Sequence, residues 1–492
     1  MTRLSRRGFL AASAALSASL LLPARARAAT ERLSLTATTR TLEVNGRAAT
    51  VLGLTNGSGG QGLVLEPGQR FAVDLTNALE TETIVHWHGQ IPPNAQDGVP
   101  NTNPMLKPGD RRAFDFAPRP GTFWMHSHIP QQEIALLAAP LIVRSAEDVA
   151  ADRQEVVMFL HDFSFRTPEE VLAEVTGGTG HAAAMDHGAM HHAPAQTGAM
   201  PGMDHAAQMP GMGGMGGMAM DLNDFEFDAY LANDRTLDDP EVVAVEPNGK
   251  VRLRVINGSS MTAYWIDTGG LAAALVAVDG DPVQPLAASR FPIAQGQRME
   301  IDLDLPGDRL ARPILALREG AREQTGLILA PRGSTIPRLA TRAEAETPPV
   351  AGDLRQELAL CAVSPLAARQ ADAQHMVMLG GAMSPYVWTI NGATWEDRTP
   401  IPVTRGARVE MMFHNMSMMA HPMHLHGHVF QVVAVGNQRL AGALRDTVLV
   451  PAMGSVTIAF DAGEAAPWMM HCHHMGHLAT GMMTELQVKA LA

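Results

Sequence analysis

The sequence predicts an all-β chain of three sandwich or barrel domains, on three observations. Short alternating segments dominate. In "RMEIDLDL" (298–305), Met299, Ile301, Leu303 and Leu305 fall on one face and Glu300, Asp302 and Asp304 on the other, the period of two expected of a half-buried strand. "RRAFDF" (111–116) and "SVTIAF" (455–460) alternate likewise. Second, 45 Gly and 33 Pro punctuate the chain and long 3.6-residue periods are scarce, as short strands joined by turns require. Third, one pattern occurs three times: "EPGQRFAVDLTN" (66–77), "EPNGKVRLRVIN" (246–257) and "TRGARVEMMFHN" (404–415). Each has a Gly-containing turn, an alternating strand and a final Asn. Counted from Phe71, Val251 and Val409, the Asn falls six residues on, at Asn77, Asn257 and Asn415. Repeats this far apart mark domains rather than a solenoid.

Linker-like stretches, "SAEDVAADRQE" and "TRAEAETPPVAGD", place the expected domains at 29–146, 147–350 and 351–492. Residues 1–28 read as an export signal. Ser5-Arg6-Arg7-Gly8-Phe9-Leu10 is a twin-arginine pattern, an Ala/Leu/Ser-rich stretch follows, and Ala26-Arg27-Ala28 supplies a cleavage site. A periplasmic protein with no membrane anchor after cleavage is expected, and a monomer. The 37 basic and 50 acidic residues give a net charge of −13, which argues against nucleic acid as a partner and permits a cationic substrate.

Methionine is over-represented, with 30 residues against 14 Phe and 3 Tyr. Much of it lies in a Met/His-rich insert at 176–220, with nine Met, five His and no regular period. Such a segment has too little to bury in a core, and mobility is expected of it; its soft ligands suit transient copper binding. Of the two cysteines, Cys361 in "LRQELALCAVS" reads as a buried small hydrophobe on an apolar strand.

Four short motifs supply ten candidate ligands from the 20 histidines: "HWHG" (His86, His88), "HSH" (His126, His128), "HPMHLHGH" (His421, His424, His426) and "HCHHMGH" (His471, His473, His477). Each contains His-x-His, and residues i and i+2 of a strand share a face. Two pairs come from the first domain, two from the third and none from the second. The eight paired imidazoles therefore belong at an interface of the first and third domains. Eight neutral nitrogen donors suit several copper ions better than one tetrahedral zinc. His421, Cys472 and His477, with Met482 as a weak axial thioether, give the composition of a blue-copper site. Parity puts Cys472 on one face and His471 and His473 on the other, so the cysteine bridges the two sites. His474 and Met475 are left as strand-end packing or surface.

All four motifs resemble those of the multicopper oxidases. The resemblance implies three cupredoxin-like Greek-key domains and four copper ions. His421, Cys472, His477 and Met482 would hold the type 1 copper, and His86 and His424 the type 2. His88, His126 and His473 would hold one type 3 copper, and His128, His426 and His471 the other. It implies oxidation of a reductant one electron at a time and reduction of O₂ to water. Asp97, eleven residues after His86 in "PPNAQDGVP", matches an acid that supplies protons to the cluster. Leu478 stands where some relatives carry a second acid.

Within that family the chain looks most like the periplasmic copper-resistance oxidases, which take Cu(I) to Cu(II). Met419, two residues before His421, matches a substrate-copper ligand of those enzymes, and Met418 is its neighbour. Their Asp two residues further back is Ser417 here. A laccase-like oxidase of phenols or aromatic amines is the alternative with an organic reductant. A non-enzymatic copper buffer is the alternative of another class.

Overall fold

A computed structural model describes residues 32–177 and 222–491. The expected export signal, and all but the first two residues of the Met/His insert, lie outside the described residues. Three pairs of β-sheets follow one another along the chain. The first pair holds strands between residues 33 and 143, the second between 154 and 331, and the third between 373 and 489. Helices among the described residues are short; the longest, Pro168–Val175, starts at a Thr167–Glu170 capping box. None is long and apolar enough to cross a membrane.

The threefold repeat forms equivalent central strands, Phe71–Asn77, Lys250–Asn257 and Arg408–Asn415. Each pairs in parallel with the first strand of its sheet: Leu33–Val44, Gln154–Phe163 and Ala373–Met383. On its other side each pairs antiparallel with Arg111–Phe116, Arg298–Asp304 or Ser455–Asp461. The terminal Asn does the same work three times. Asn77, Asn257 and Asn415 are fully or almost fully buried. Their Oδ1 atoms accept from the N–H groups of Leu79, Ser259 and Ser417, two residues on. Their Nδ2 atoms donate to carbonyls of the following loop: Thr81, Thr262 and Met419. A side-chain amide thus satisfies backbone groups that a buried turn would otherwise leave unpaired.

Two expectations fail. Cys361 is exposed and free, because "LRQELAL" folds as the helix Arg355–Ala359 rather than a strand. Leu354 and Leu358, four apart, are half-buried against the core and Leu360 is fully buried; the next residue then faces out. Glu300 was expected on a solvent face, but it is 4% exposed. It accepts from Arg254 at 2.6 Å and from Thr122 at 2.7 Å, because the strand packs against the first sandwich instead of water.

Candidate metal centres

The His-x-His motifs sit at the ends of facing strands. Val85–His88 pairs with Gly121–Ser127 so that His86 stands opposite His126. In the third sandwich, His421–Leu425 pairs with Pro467–Cys472 so that His424 stands opposite His471 and Met423 opposite Cys472. Cross-strand partners share a face. His128, His426 and His473 fall just beyond the ends of these strands.

The eight imidazoles meet between the first and third sandwiches, and none is more than 7% exposed. The Nε2 atoms of His128 and His426 lie 3.3 and 3.0 Å from that of His471. His86 lies tilted 3.9 Å from His426, and His88 stacks 3.9 Å from His424, centroid to centroid. Five inward ring nitrogens have no hydrogen-bond partner among the described residues: His86 Nε2, His88 Nδ1, His126 Nε2, His424 Nε2 and His473 Nε2. Burial, reinforced by neighbouring imidazoles, holds His88, His128, His426, His471 and His473 well below the usual histidine range. A buried set of neutral, unpaired nitrogen donors fits metal ions and is costly without them.

The opposite ring nitrogens are tied outward. His86 Nδ1 faces the Asp97 carbonyl at 2.8 Å, and His426 Nδ1 faces Asp97 Oδ2 at 3.0 Å. Asp97, fully buried, therefore spans a histidine from each sandwich. His126 Nδ1 lies 2.8 Å from Glu133 Oε2, whose other oxygen is 3.8 Å from His473. His88 Nε2 lies 3.1 Å from Asp446 Oδ1, and His424 Nδ1 lies 2.9 Å from the Asp446 carbonyl. Such partners fix the ring and its tautomer.

Among the described residues the middle sandwich supplies no imidazole to the cluster, but it braces it. Arg298, fully buried, donates to both Asp446 oxygens, with Nη1 at 2.7 Å. Burial opposes ionisation of Asp446, but the charge and hydrogen bonds of Arg298 hold it well below the usual carboxylate range. Gly296, at φ +77°, lies so close to His473 that a Cβ would meet its ring at 2.8 Å.

The second group is smaller. Cys472 Sγ lies 3.4 Å from His477 Nδ1 and 3.8 Å from His421 Nδ1, and those two nitrogens are 3.1 Å apart. Met482 is fully buried. The Cys472 N–H donates to the Met482 carbonyl at 3.1 Å, and the Met482 N–H to that of His477 at 3.0 Å. These bonds close the loop that carries Cys472, His477 and Met482. The His474 N–H donates to Cys472 Sγ at 3.4 Å. Burial pushes the thiol up, so the thiolate needs a cation beside it. Ser417 Oγ lies 2.8 Å from His421 Nε2; the residue in place of the expected Asp thus still orients this ring. His477 Nε2 faces Asp224 at 3.6 Å, and Tyr386 donates to the same carboxylate. Burial pushes Asp224 up, but the hydrogen bond from His477, the nearby histidines and Tyr386 outweigh it and hold the carboxyl at about 2.

Of the two methionines expected at a substrate site, Met419 is 8% exposed and Met418 is 62% exposed. They do not share an environment. Glu133, Asp224, Asp446, Arg298 and His474 were not anticipated. His474 is buried and stacked 4.0 Å from His477; neither ring nitrogen is hydrogen-bonded, and Nε2 lies 3.7 Å from Asp224. Its place between Cys472 and His477 was the one signal available.

Profiles described as multicopper oxidase match residues 36–148, 186–309 and 369–491. The chain belongs to the multicopper oxidase family. It is a copper-binding oxidoreductase of the cupredoxin fold. This oxidase is 28% identical over 426 residues to multicopper oxidase MmcO of Mycobacterium tuberculosis, covering 85% of this chain and 79% of that one. It is 23% identical to copper resistance protein A of Escherichia coli, covering 96% and 94%. Among solved structures it resembles the laccase of Botrytis aclada, with a TM-score of 0.72, 19% identity and 92% and 87% covered. It also resembles the multicopper oxidase McoA of Aquifex aeolicus, with a TM-score of 0.67, 21% identity and 94% and 96% covered.

Proposed function

We propose that this oxidase is a periplasmic cuprous oxidase, exported by its twin-arginine signal and acting in copper tolerance. Copper bound at its centres supplies one-electron oxidation of the reductant and four-electron reduction of O₂ to two waters. We assign His421, Cys472, His477 and Met482 to the type 1 ion, and His86 and His424 to type 2. We assign His88, His126 and His473 to one type 3 ion and His128, His426 and His471 to the other. The ligand atoms of His421, Cys472 and His477, and those of His128, His426 and His471, each lie within 4.8 Å of one another, which supports two of these groupings. His86 also groups with His88 and His126, and with His424 and His426, as a shared cluster requires. We place the domain boundaries at 146 and 350 and read the protein as a monomer.

One observation carries the choice of Cu(I). Met419, His474 and Glu319 line one cavity of about 30 Å³ beside the type 1 residues. That is room for about one water-sized particle, where an aromatic ring needs roughly 150 Å³. A thioether and an imidazole with neither nitrogen hydrogen-bonded suit a soft cation, and burial pushes the Glu319 carboxyl up to about 7, which keeps the lining from favouring a hard divalent ion. His474 stacks on His477, so an ion held there lies one ring from the type 1 group. Cys472 then offers a covalent path, because its neighbours in sequence, His471 and His473, belong to the cluster. Asp97, bridging His86 and His426, is positioned to hand protons to that cluster.

The test is O₂ uptake with Cu(I) against a phenol, for the full chain and for a deletion of residues 176–220. Cu(I) turnover is expected to fall in the deletion and phenol turnover to hold or rise. Phenol turnover exceeding Cu(I) turnover in the full chain would favour the laccase-like reading. Blue, copper-loaded protein without O₂ uptake from either reductant would favour a copper buffer.

A further inference from the structure

The outer face of the third sandwich carries side chains that neither core packing nor the centres above account for. Strand Ala373–Met383 runs parallel to Arg408–Asn415, with Met376 registered to Met412 and Met378 to His414. The intervening residues Val377, Leu379, Met411 and Phe413 are in the core. Strand alternation therefore turns the other four to the opposite face. Met376 is 62% exposed, and Met378, Met412 and His414 are half-buried. Among the described residues the His414 imidazole has no hydrogen bond, ion pair or ring contact.

Registered partners stand about 5 Å apart and alternate residues of one strand about 7 Å apart. Three thioethers and one imidazole thus occupy the corners of a small rectangle. Methionine has three rotatable bonds, so these side chains reach a common point above its centre. An outward sheet face ordinarily carries polar or β-branched residues; clustered methionine there leaves apolar surface in water. Beside the patch, Glu410 is paired with Arg439 at 2.8 Å, so its carboxylate is engaged there rather than free to join the four donors. Thioethers and imidazole select a soft monovalent ion over hard divalent ones.

The chain leaves this face at Asn415 and continues through Met416, 53% exposed, and Met418, 62% exposed, before Met419 and His421. Soft donors therefore run from the patch to the cavity beside the type 1 group. We propose that Met376, Met378, Met412 and His414 bind one Cu(I) and load it toward that cavity by way of Met416 and Met418. The binding site stands on its own geometry. Its use for loading rests on the cuprous oxidase reading.

The test uses the copper-loaded full chain with Ag(I), a redox-inert stand-in for Cu(I). Anomalous diffraction is expected to show silver on this face, ligated by Met376, Met378, Met412 and His414. The triple variant Met376→Leu, Met412→Leu, His414→Asn should lose that silver, while resident copper, blue absorbance and phenol oxidation stay unchanged. Its KM for Cu(I) should rise several-fold at constant kcat. Absence of silver from this face in crystals that bind silver elsewhere would overturn the site, as would unchanged silver stoichiometry in the variant. Silver on this face with an unchanged KM for Cu(I) would overturn the loading role alone. A wild-type protein that fails to oxidise Cu(I) refutes the cuprous reading, and the silver map still decides the site.

Discussion

Arg298→Met removes the brace between the middle sandwich and the histidine cluster. Arg298 is fully buried, and its guanidinium meets both oxygens of Asp446, the Thr122 carbonyl at 3.2 Å and the Gly296 carbonyl at 3.1 Å. Methionine fills much of that volume and pairs with nothing. Asp446, 1% exposed, then keeps its charge beside two imidazoles and Thr447, with the Asp279 carboxyl, 3.6 Å from Arg298 in the wild type, losing the same partner. Breaking a buried pair from one side costs about 3–5 kcal/mol, most of it the charge left behind. At about 2–4 °C per kcal/mol for a unit of this size, calorimetry should show a transition lowered by about 6–20 °C. Adding Asp446→Asn removes that charge while keeping oxygen and nitrogen near His88 and His424. The double variant should therefore recover at least about 1 kcal/mol relative to the sum of the singles. Cluster copper should fall in Arg298→Met, while the blue Cu–thiolate absorbance persists because Arg298 touches no type 1 residue. Strictly additive single losses, or a drop of less than about 1 kcal/mol in Arg298→Met, would show that the stranded charge is not what holds this interface together.

Cys472→Ser should lose the blue absorbance and oxidase activity while copper analysis still finds the cluster ions, since the eight imidazoles are untouched. Ser417→Ala removes the 2.8 Å contact to His421; it should cost only about 1 kcal/mol of stability yet release type 1 copper to a chelator roughly tenfold more readily. His161 gives the pH prediction. Burial lowers it from 6.5 to about 4, so between those values the unfolded chain binds a proton that the folded one refuses. Stability is fully present above about pH 6.5 and declines as pH falls toward 4, by roughly 3 kcal/mol in the limit. Urea titrations should show that slope in the wild type and a flatter one in His161→Gln.

The elements legible in sequence were those written as patterns. The three Asn-terminated strands could be aligned by eye, and His-x-His needed only strand parity to become facing pairs. Ser417 could be seen as a replacement, but not as a group that still reaches His421. Glu133, Asp446 and Arg298 belong to no motif, and each acquires its role through a contact closed by folding. Arg298 meets Asp446 across 148 residues and His88 meets it across 358. Glu300 misled because alternation reports which residues share a face, not whether water or another sandwich lies against it. Cys361 misled because a short apolar run reads equally as a strand or as a helical turn.

His128 and His471 face each other at 3.3 Å although 343 residues separate them in the chain. A polypeptide broken off before its third sandwich carries half the imidazoles and cannot close the cluster. Retention of the cluster copper therefore certifies that synthesis reached the third sandwich. It also certifies that the first and third sandwiches found each other. Fragments and misfolded chains lack the means to hold the ions that would make them oxidants.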